Sequence, residues 1–243
     1  MSVVIPEPIA VRPRTLTIPP LESGDRLTLA EFERSYEAMP ELKKAELVEG
    51  VVFVTSRVRS DIHGAPHAEI VGWLGTYCAA TAGVRVANNT TVIIDPDNEF
   101  QPDASLAINA ASGGQSRVND RGYLEGAPEF VAEVAATSAS IDLNAKFEVY
   151  RRNKVREYVV WRTLDGELDW FVLRGSTFER LAPDAEGLFR SEVFPGLWFD
   201  AAALLRGDMA TVLKRLHEGL ATPEHAAFAA RLKQEQDSRS AGQ

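Results

Sequence analysis

The amino-acid sequence predicts an α/β protein, or an α+β one, built on a mixed sheet covered by helices. Three observations carry the prediction. An apolar run at 130–136 is followed by a helical stretch and a second apolar run at 157–162, a strand–helix–strand unit. Hairpin patterns lie on either side of it, at 44–55 and 167–181. Residues 66–82 carry Ile70, Trp73, Leu74 and Tyr77 at helical spacing. If the two strands of the central unit lie parallel in one sheet, their crossover is expected to be right-handed.

Each element has a local reason. Residues 1–26 contain Pro6, Pro8, Pro13, Pro19 and Pro20 and read as an extended arm of polyproline character. Thr28 and Glu31 form a capping box, so a helix starts near Leu29 and ends before Pro40. The 44–55 hairpin breaks at Glu49-Gly50. Pro66 suits the first turn of the next helix, and Gly83 stops it. Three strand-like runs follow: VRVANN, TVIIDP and PDASLAI. The stretch at 110–128 is rich in Gly, Ser and Asn and reads as a loop with a short helix. A helix is expected over 142–153. The stretch at 191–198 is extended, with a turn at Pro195-Gly196. From Asp200 the pattern is helical with a break near Pro223, and the polar residues after Gln234 are expected to fray.

The chain has 243 residues, 45% of them hydrophobic, enough for one globular core with extensions. Its formal net charge of −9 argues against coating nucleic acid by bulk charge, and leaves room for a local basic patch. The one cysteine, Cys78, excludes an intrachain disulfide framework and fits a reducing compartment. The N-terminal residues lack the basic and apolar regions of a signal peptide. No run approaches the roughly 18 apolar residues of a membrane helix. A cytoplasmic protein with no membrane segment is the expectation.

Three carboxylates stand inside, or at the start of, apolar strands: Glu46 in AELVEGVV, Asp103 opening DASLAI, and Glu133 in FVAEVAA. Taken singly, each has a plain structural reading: a solvent-facing strand residue, a Pro-Asp turn, an ion pair with a nearby arginine. Burying an unpaired carboxylate costs several kcal/mol or more, so together they point to a partner cation or a site. A hard divalent cation such as Mg²⁺ needs one or two carboxylates and keeps several waters. Lys146 follows on the expected helix, in line with Asp142 and Tyr150. Its plain reading is an Asp142–Lys146 pair of a few tenths of a kcal/mol.

These residues carry a resemblance. The pieces are ELVEG (46–50), His67, the Pro102-Asp103 pair, GAPEFVAEVAATS (126–138), D-x-x-x-K-x-x-x-Y (142–150), VREYVVW (155–161) and FPGL (194–197). In this order and spacing the chain resembles the Uma2 (DUF820) family of the PD-(D/E)XK nuclease superfamily. The resemblance implies a restriction-endonuclease-like core over residues 27–200, between the arm and a C-terminal helical extension at 201–243. It implies hydrolysis of DNA phosphodiester bonds with Mg²⁺ or Mn²⁺. It implies Asp103 and Glu133 as metal ligands, Glu46 assisting, and Lys146 orienting or helping to deprotonate the attacking water. His67 and Tyr150 are expected at the substrate. DNA is the expected partner, and a homodimer would suit cutting two strands.

One departure bears on the activity. The superfamily pattern sets a lysine two residues after the glutamate, on the same strand face, and Ala135 stands there. Lys146 is the expected replacement, from the next helix. If it does not reach Glu133, the alternative is an inactive nuclease-fold protein acting in nucleic-acid binding or assembly. His63 and His67 suggest a zinc pair, but Pro66 is expected to start the helix after His63. Thr137 and Ser138 read as helix caps, since no nucleophile elbow surrounds them. Arg57, Arg59, Arg117, Arg121, Arg151, Arg152, Lys154 and Arg156 are candidate phosphate contacts, with the run at 151–156 also suited to a helix C-terminus.

Overall fold

The structure, a computed structural model, describes residues 18–55, 59–136 and 138–240. Residues 1–17 of the expected arm, Arg57 and Thr137 lie outside the described residues. The chain begins with α1 (Leu29–Glu37), β1 (Ala45–Val48), β2 (Val51–Val54), α2 (Ala65–Ala80), β3 (Val84–Asn88), β4 (Val92–Asp95) and β5 (Asn98–Phe100). Next come β6 (Ala104–Ile108), β7 (Arg117–Val118), β8 (Leu124–Glu125), β9 (Phe130–Ala135), α3 (Ala139–Asp142) and α4 (Ala145–Arg152). It continues with β10 (Glu157–Arg162), β11 (Glu167–Arg174), β12 (Thr177–Arg180), β13 (Phe189–Arg190) and β14 (Trp198–Phe199). It closes with α5 (Ala201–Leu205), α6 (Met209–Leu220) and α7 (Pro223–Ser240).

The strands form two six-stranded mixed sheets. One has the order β12-β11-β10-β9-β6-β3, and the other β2-β1-β5-β4-β8-β7. The predicted α/β class holds, and β9 and β10 are parallel, in register from Phe130 opposite Glu157 to Ala135 opposite Arg162. The hairpin at the start of the chain belongs to the second sheet, where β1 pairs with both β2 and β5.

Alternation on β9 decides which way the site faces. Phe130, Ala132 and Val134 pack with Trp73, Trp170, Leu216 and Phe228, the core under α2, α6 and α7. Val131 and Ala135 pack on the opposite face with Phe100, Val149 and Tyr150, between α4 and the second sheet. A period of two therefore turns Glu133 toward α4. Trp170 is fully buried, as a core residue and not a base-stacking platform.

Local signals explain most element ends. The Thr28 hydroxyl accepts from Glu31 N–H while the Glu31 carboxylate accepts from Thr28 N–H, which completes the predicted capping box. Asp200 caps α5 by accepting from Ala203 N–H. Four expectations need correction. The helix expected over 142–153 is two pieces, α3 and α4, parted at Leu143-Asn144. The loop at 110–128 has its short helix, a 3-10 turn at Ala110–Ser112, but also holds β7 and β8. A π-helical turn, Ser60–Gly64, runs into α2, so His63 is helical. The chain beyond Gln234 stays helical to Ser240, where Arg231 pairs with Glu235 at 3.0 Å and Arg239 donates to Ala110 O at 2.9 Å. Among the described residues no helix is long and apolar enough to cross a membrane.

Candidate active site

The chain passes from one sheet to the other through Gln101-Pro102-Asp103, the link between β5 and β6. β6 and β9 are antiparallel with Ala104 opposite Ala132, so one further step sets Asp103 beside Glu133. The contact is mutual. Asp103 N–H donates to Glu133 Oε2 at 3.2 Å, and Val134 N–H donates to Asp103 Oδ2 at 2.9 Å. Glu46 reaches the same junction from β1, its Oε1 accepting from Gln101 N–H at 2.8 Å.

Lys146 extends from α4 across this face of β9. Its Nζ lies 2.8 Å from Glu46 Oε2, 3.1 Å from Glu133 Oε1 and 3.5 Å from Asp142 Oδ1. Both sequence readings of Lys146 are therefore present at once: the strand contact and the helical Asp142 pair. The Tyr150 hydroxyl donates to Glu133 Oε1 at 3.1 Å from a fully buried ring. Tyr150 has no surface to offer a substrate, contrary to the expectation, and instead orients the carboxylate.

Asp103 lines a cleft of about 320 Å³, together with Lys43, Lys44, His63, His67, Asn89 and Gln101. Lys44 Nζ lies 3.3 Å from Asp103 Oδ1, and His63 Nε2 lies 3.2 Å from Oδ2. His67 Nε2 is 2.7 Å from the Asp103 carbonyl oxygen, which makes that nitrogen the donor. The two histidines thus brace Asp103 from successive helical turns. Glu46, Glu133, Asp142 and Lys146 are buried and do not line the cleft. A larger cleft of about 650 Å³, bordered by Asp95, Gln115 and Arg239, contains none of these residues.

Sequence reading missed Lys44 and the full part of Asp142, and set His63 aside. Lys44 precedes Glu46 by two residues, the spacing that sets both on one side of an extended chain, so a signal existed. For His63 the proline at position 66 concealed the helical turn upstream. Five of the arginines proposed for phosphate pair with acids: Arg59 with Asp61, Arg117 with Glu125, Arg121 with Glu33, Arg151 with Glu148, and Arg152 with Asp95.

Electrostatics separate the two central carboxylates. Burial works against the Asp103 anion, but His63, Lys44 and the Val134 N–H outweigh it and hold Asp103 well below the usual carboxylate range. Burial pushes the Glu133 carboxyl up to about 8, against the pull of Lys146 and with the neighbouring acids adding to the rise. Burial opposes the Lys146 charge, yet Glu133, Glu46 and Asp142 overcome it and raise the ammonium well above its ordinary value. Lys146 is therefore held as a cation and a hydrogen-bond donor.

The donor set suits a hard divalent cation. Asp103 Oδ1 and Glu133 Oε2 each accept one protein hydrogen bond, which leaves each a lone pair. Four buried carboxyl groups face Lys44 and Lys146, so acids outnumber the lysines at the junction. Among the described residues no three His, Cys, Asp or Glu side chains converge to enclose an ion. Mg²⁺ does not require that, since two carboxylates completed by water suffice.

The fold is thus a two-sheet α/β layer structure with a buried acid–lysine centre where the sheets meet. The family model of Uma2, described as "Putative restriction endonuclease", matches residues 29–203, and the chain belongs to the Uma2 family. No curated protein matches it. Among solved structures it is similar to the crystal structure of "a putative nuclease belonging to DUF820" from Anabaena variabilis ATCC 29413. That likeness has a TM-score of 0.52 at 18% identity, over 77% of this chain and 99% of the other, and it speaks to the fold.

Proposed function

We propose that this protein is a metal-dependent endonuclease that hydrolyses DNA phosphodiester bonds. The observation that carries the reading is the convergence of Asp103, Glu133 and Lys146 at one sheet junction, with Asp103 open to a cleft rich in cations. Family membership supports the same reaction class. Asp103 and Glu133 would hold the ion, Mg²⁺ or Mn²⁺. When bound, such an ion neutralises charge on a phosphate oxygen and acidifies water.

The remaining steps belong to side chains of this chain. Lys146 stands between Glu133 and Glu46 and fixes both carboxyl groups. Tyr150 orients Glu133 through Oε1, leaving Oε2 toward Asp103. His67 fixes the Asp103 backbone and His63 its Oδ2, so Oδ1 is the oxygen directed to the cleft and to Lys44. Lys44 and Lys43 supply ammonium donors where a DNA phosphate would enter. In the hydrolysis, a water oxygen bonds to phosphorus as the bond to the leaving sugar oxygen breaks, and the proton that the water loses ends on that sugar oxygen. DNA is the partner in this reading, and a homodimer would present two such centres; light scattering with and without DNA tests the assembly.

The test is calorimetric titration with Mn²⁺ and Mg²⁺, then plasmid nicking, on the wild type and Asp103→Asn. Metal binding and nicking that both disappear in the variant support the nuclease. A folded wild type that binds no metal and nicks no plasmid overturns it in favour of a non-hydrolytic binding protein.

A further inference from the structure

A second group of acids lies between α1 and the second sheet. Glu33, Glu37, Glu99, Tyr36, Tyr123 and Met39 line a cleft of about 200 Å³. Glu99 comes from the middle of β5, opposite both Leu47 of β1 and Ile93 of β4. It is 3% exposed, and its Oε2 is buried without a hydrogen-bond partner among the described residues. Leaving a carboxylate oxygen in this state is costly, so it calls for a ligand.

The surroundings narrow the chemistry of that ligand. Arg121 pairs with Glu33, stands 4.0 Å from Glu37 and lies 5.1 Å over the Tyr123 ring, with its side chain 46% exposed at the rim. It leaves Glu99 Oε2 without a hydrogen-bonded partner among the described residues. A bare metal ion is a poor fit, because it would leave the aromatic and apolar part of the lining unused. A flat cation on an apolar stem is a good one. Spread carboxylates match the donor fork of a guanidinium, aromatic faces attract it, and Met39 and Leu42 suit the methylenes behind it. Burial, with Glu33 adding and Arg121 opposing, pushes the free Glu99 carboxyl up to about 7, in keeping with a missing cation.

We propose that the cleft between α1 and β5 is a binding site for an arginine side chain, with Glu99 as the partner of its guanidinium and Tyr36 and Tyr123 beside it. The arginine has two possible sources. One is a separate polypeptide. The other is this chain's own arm, in which Arg12 and Arg14 precede Leu21 by nine and seven residues, and Leu21 N–H donates to Met39 Sδ at 3.2 Å beside the cleft. The proposal does not depend on the nuclease reading.

The experiment uses methyl-¹³C methionine spectra of the full chain, whose three methionines are Met1, Met39 and Met209. N-acetyl-arginine methylamide is the probe and its neutral citrulline analogue the control. The proteins are wild type, Glu99→Gln and the double variant Arg12→Gln/Arg14→Gln. A saturable shift of Met39, absent with citrulline and weakened at least tenfold in Glu99→Gln, supports the site. A response in the wild type assigns a separate polypeptide, and a response only in the double variant assigns the arm. Met209 holding its position reports that each variant is folded. The proposal fails if neither wild type nor double variant responds to the arginine probe, or if citrulline or Glu99→Gln responds equally.

Discussion

Asp103 and Glu133 are bound to one another's strands: the Asp103 N–H donates to Glu133 Oε2, and Asp103 Oδ2 accepts from Val134, the residue after Glu133. Neither side chain can turn away without leaving a buried backbone N–H unpaired. The two carboxylates are thereby preorganised by backbone, and Lys146, Tyr150, Lys44 and the two histidines act on a fixed pair.

Lys146→Met should be strongly destabilising. It leaves Glu46, Glu133 and Asp142 buried around no cation, and breaking such a cluster costs roughly 3–5 kcal/mol. Denaturant unfolding at neutral pH measures the loss. The deficit should shrink as pH falls, with the Glu133 carboxyl, already pushed up to about 8, taking up its proton first. A deficit that does not change with pH would mean lost packing alone.

Lys44→Met should strengthen metal binding and weaken DNA binding. Lys44 Nζ occupies Asp103 Oδ1 and competes with any cation there. Its removal is expected to tighten Mn²⁺ about tenfold by calorimetry, roughly 1.4 kcal/mol. Metal-free DNA affinity should fall several-fold, and less so at high salt. Weaker metal binding in this variant would exclude the competition.

Tyr150→Phe separates orientation from fold. The lost hydroxyl should cost about 1–2 kcal/mol of stability, since Glu133 Oε1 keeps Lys146. If Tyr150 positions a metal ligand, plasmid nicking should fall about 10- to 100-fold with the fold intact. Unchanged nicking would assign Tyr150 to packing only.

Glu157 sets a pH dependence remote from the site. It is fully buried at the start of β10, where it accepts from Ser191 Oγ and the Glu192 N–H at 2.6 and 2.7 Å. Burial, partly offset by these bonds, pushes it up to about 7 from 4.5. The folded state then holds a proton that the unfolded state has released, so stability falls as pH rises from 4.5 toward 7. The effect is at most about 3 kcal/mol. Glu157→Gln should flatten that part of the stability profile, and an unchanged slope from urea melts across the window would refute the assignment.

The sequence alone determined what neighbouring residues can encode. The capping box at Thr28, the strand–helix–strand unit around Glu133, the hairpins and the break at Pro223 depend on periodicity and capping within a few residues, and all are present. The positions of Glu46, Asp103 and Glu133 were legible as anomalies, because charges in apolar runs demand compensation, and Lys146 as the candidate cation on the helix that follows. Tertiary structure decided the rest. Short strands such as β5, β7 and β8 owe their existence to partners distant in sequence. The helix at 142–153 divides so that α4 can lay Lys146 and Tyr150 on β9. Lys44 and His63 became neighbours of Asp103 only when the link between the sheets, the chain before β1 and the turn before α2 met in space. Such convergence depends on packing across long sequence separations, and no local pattern carries it.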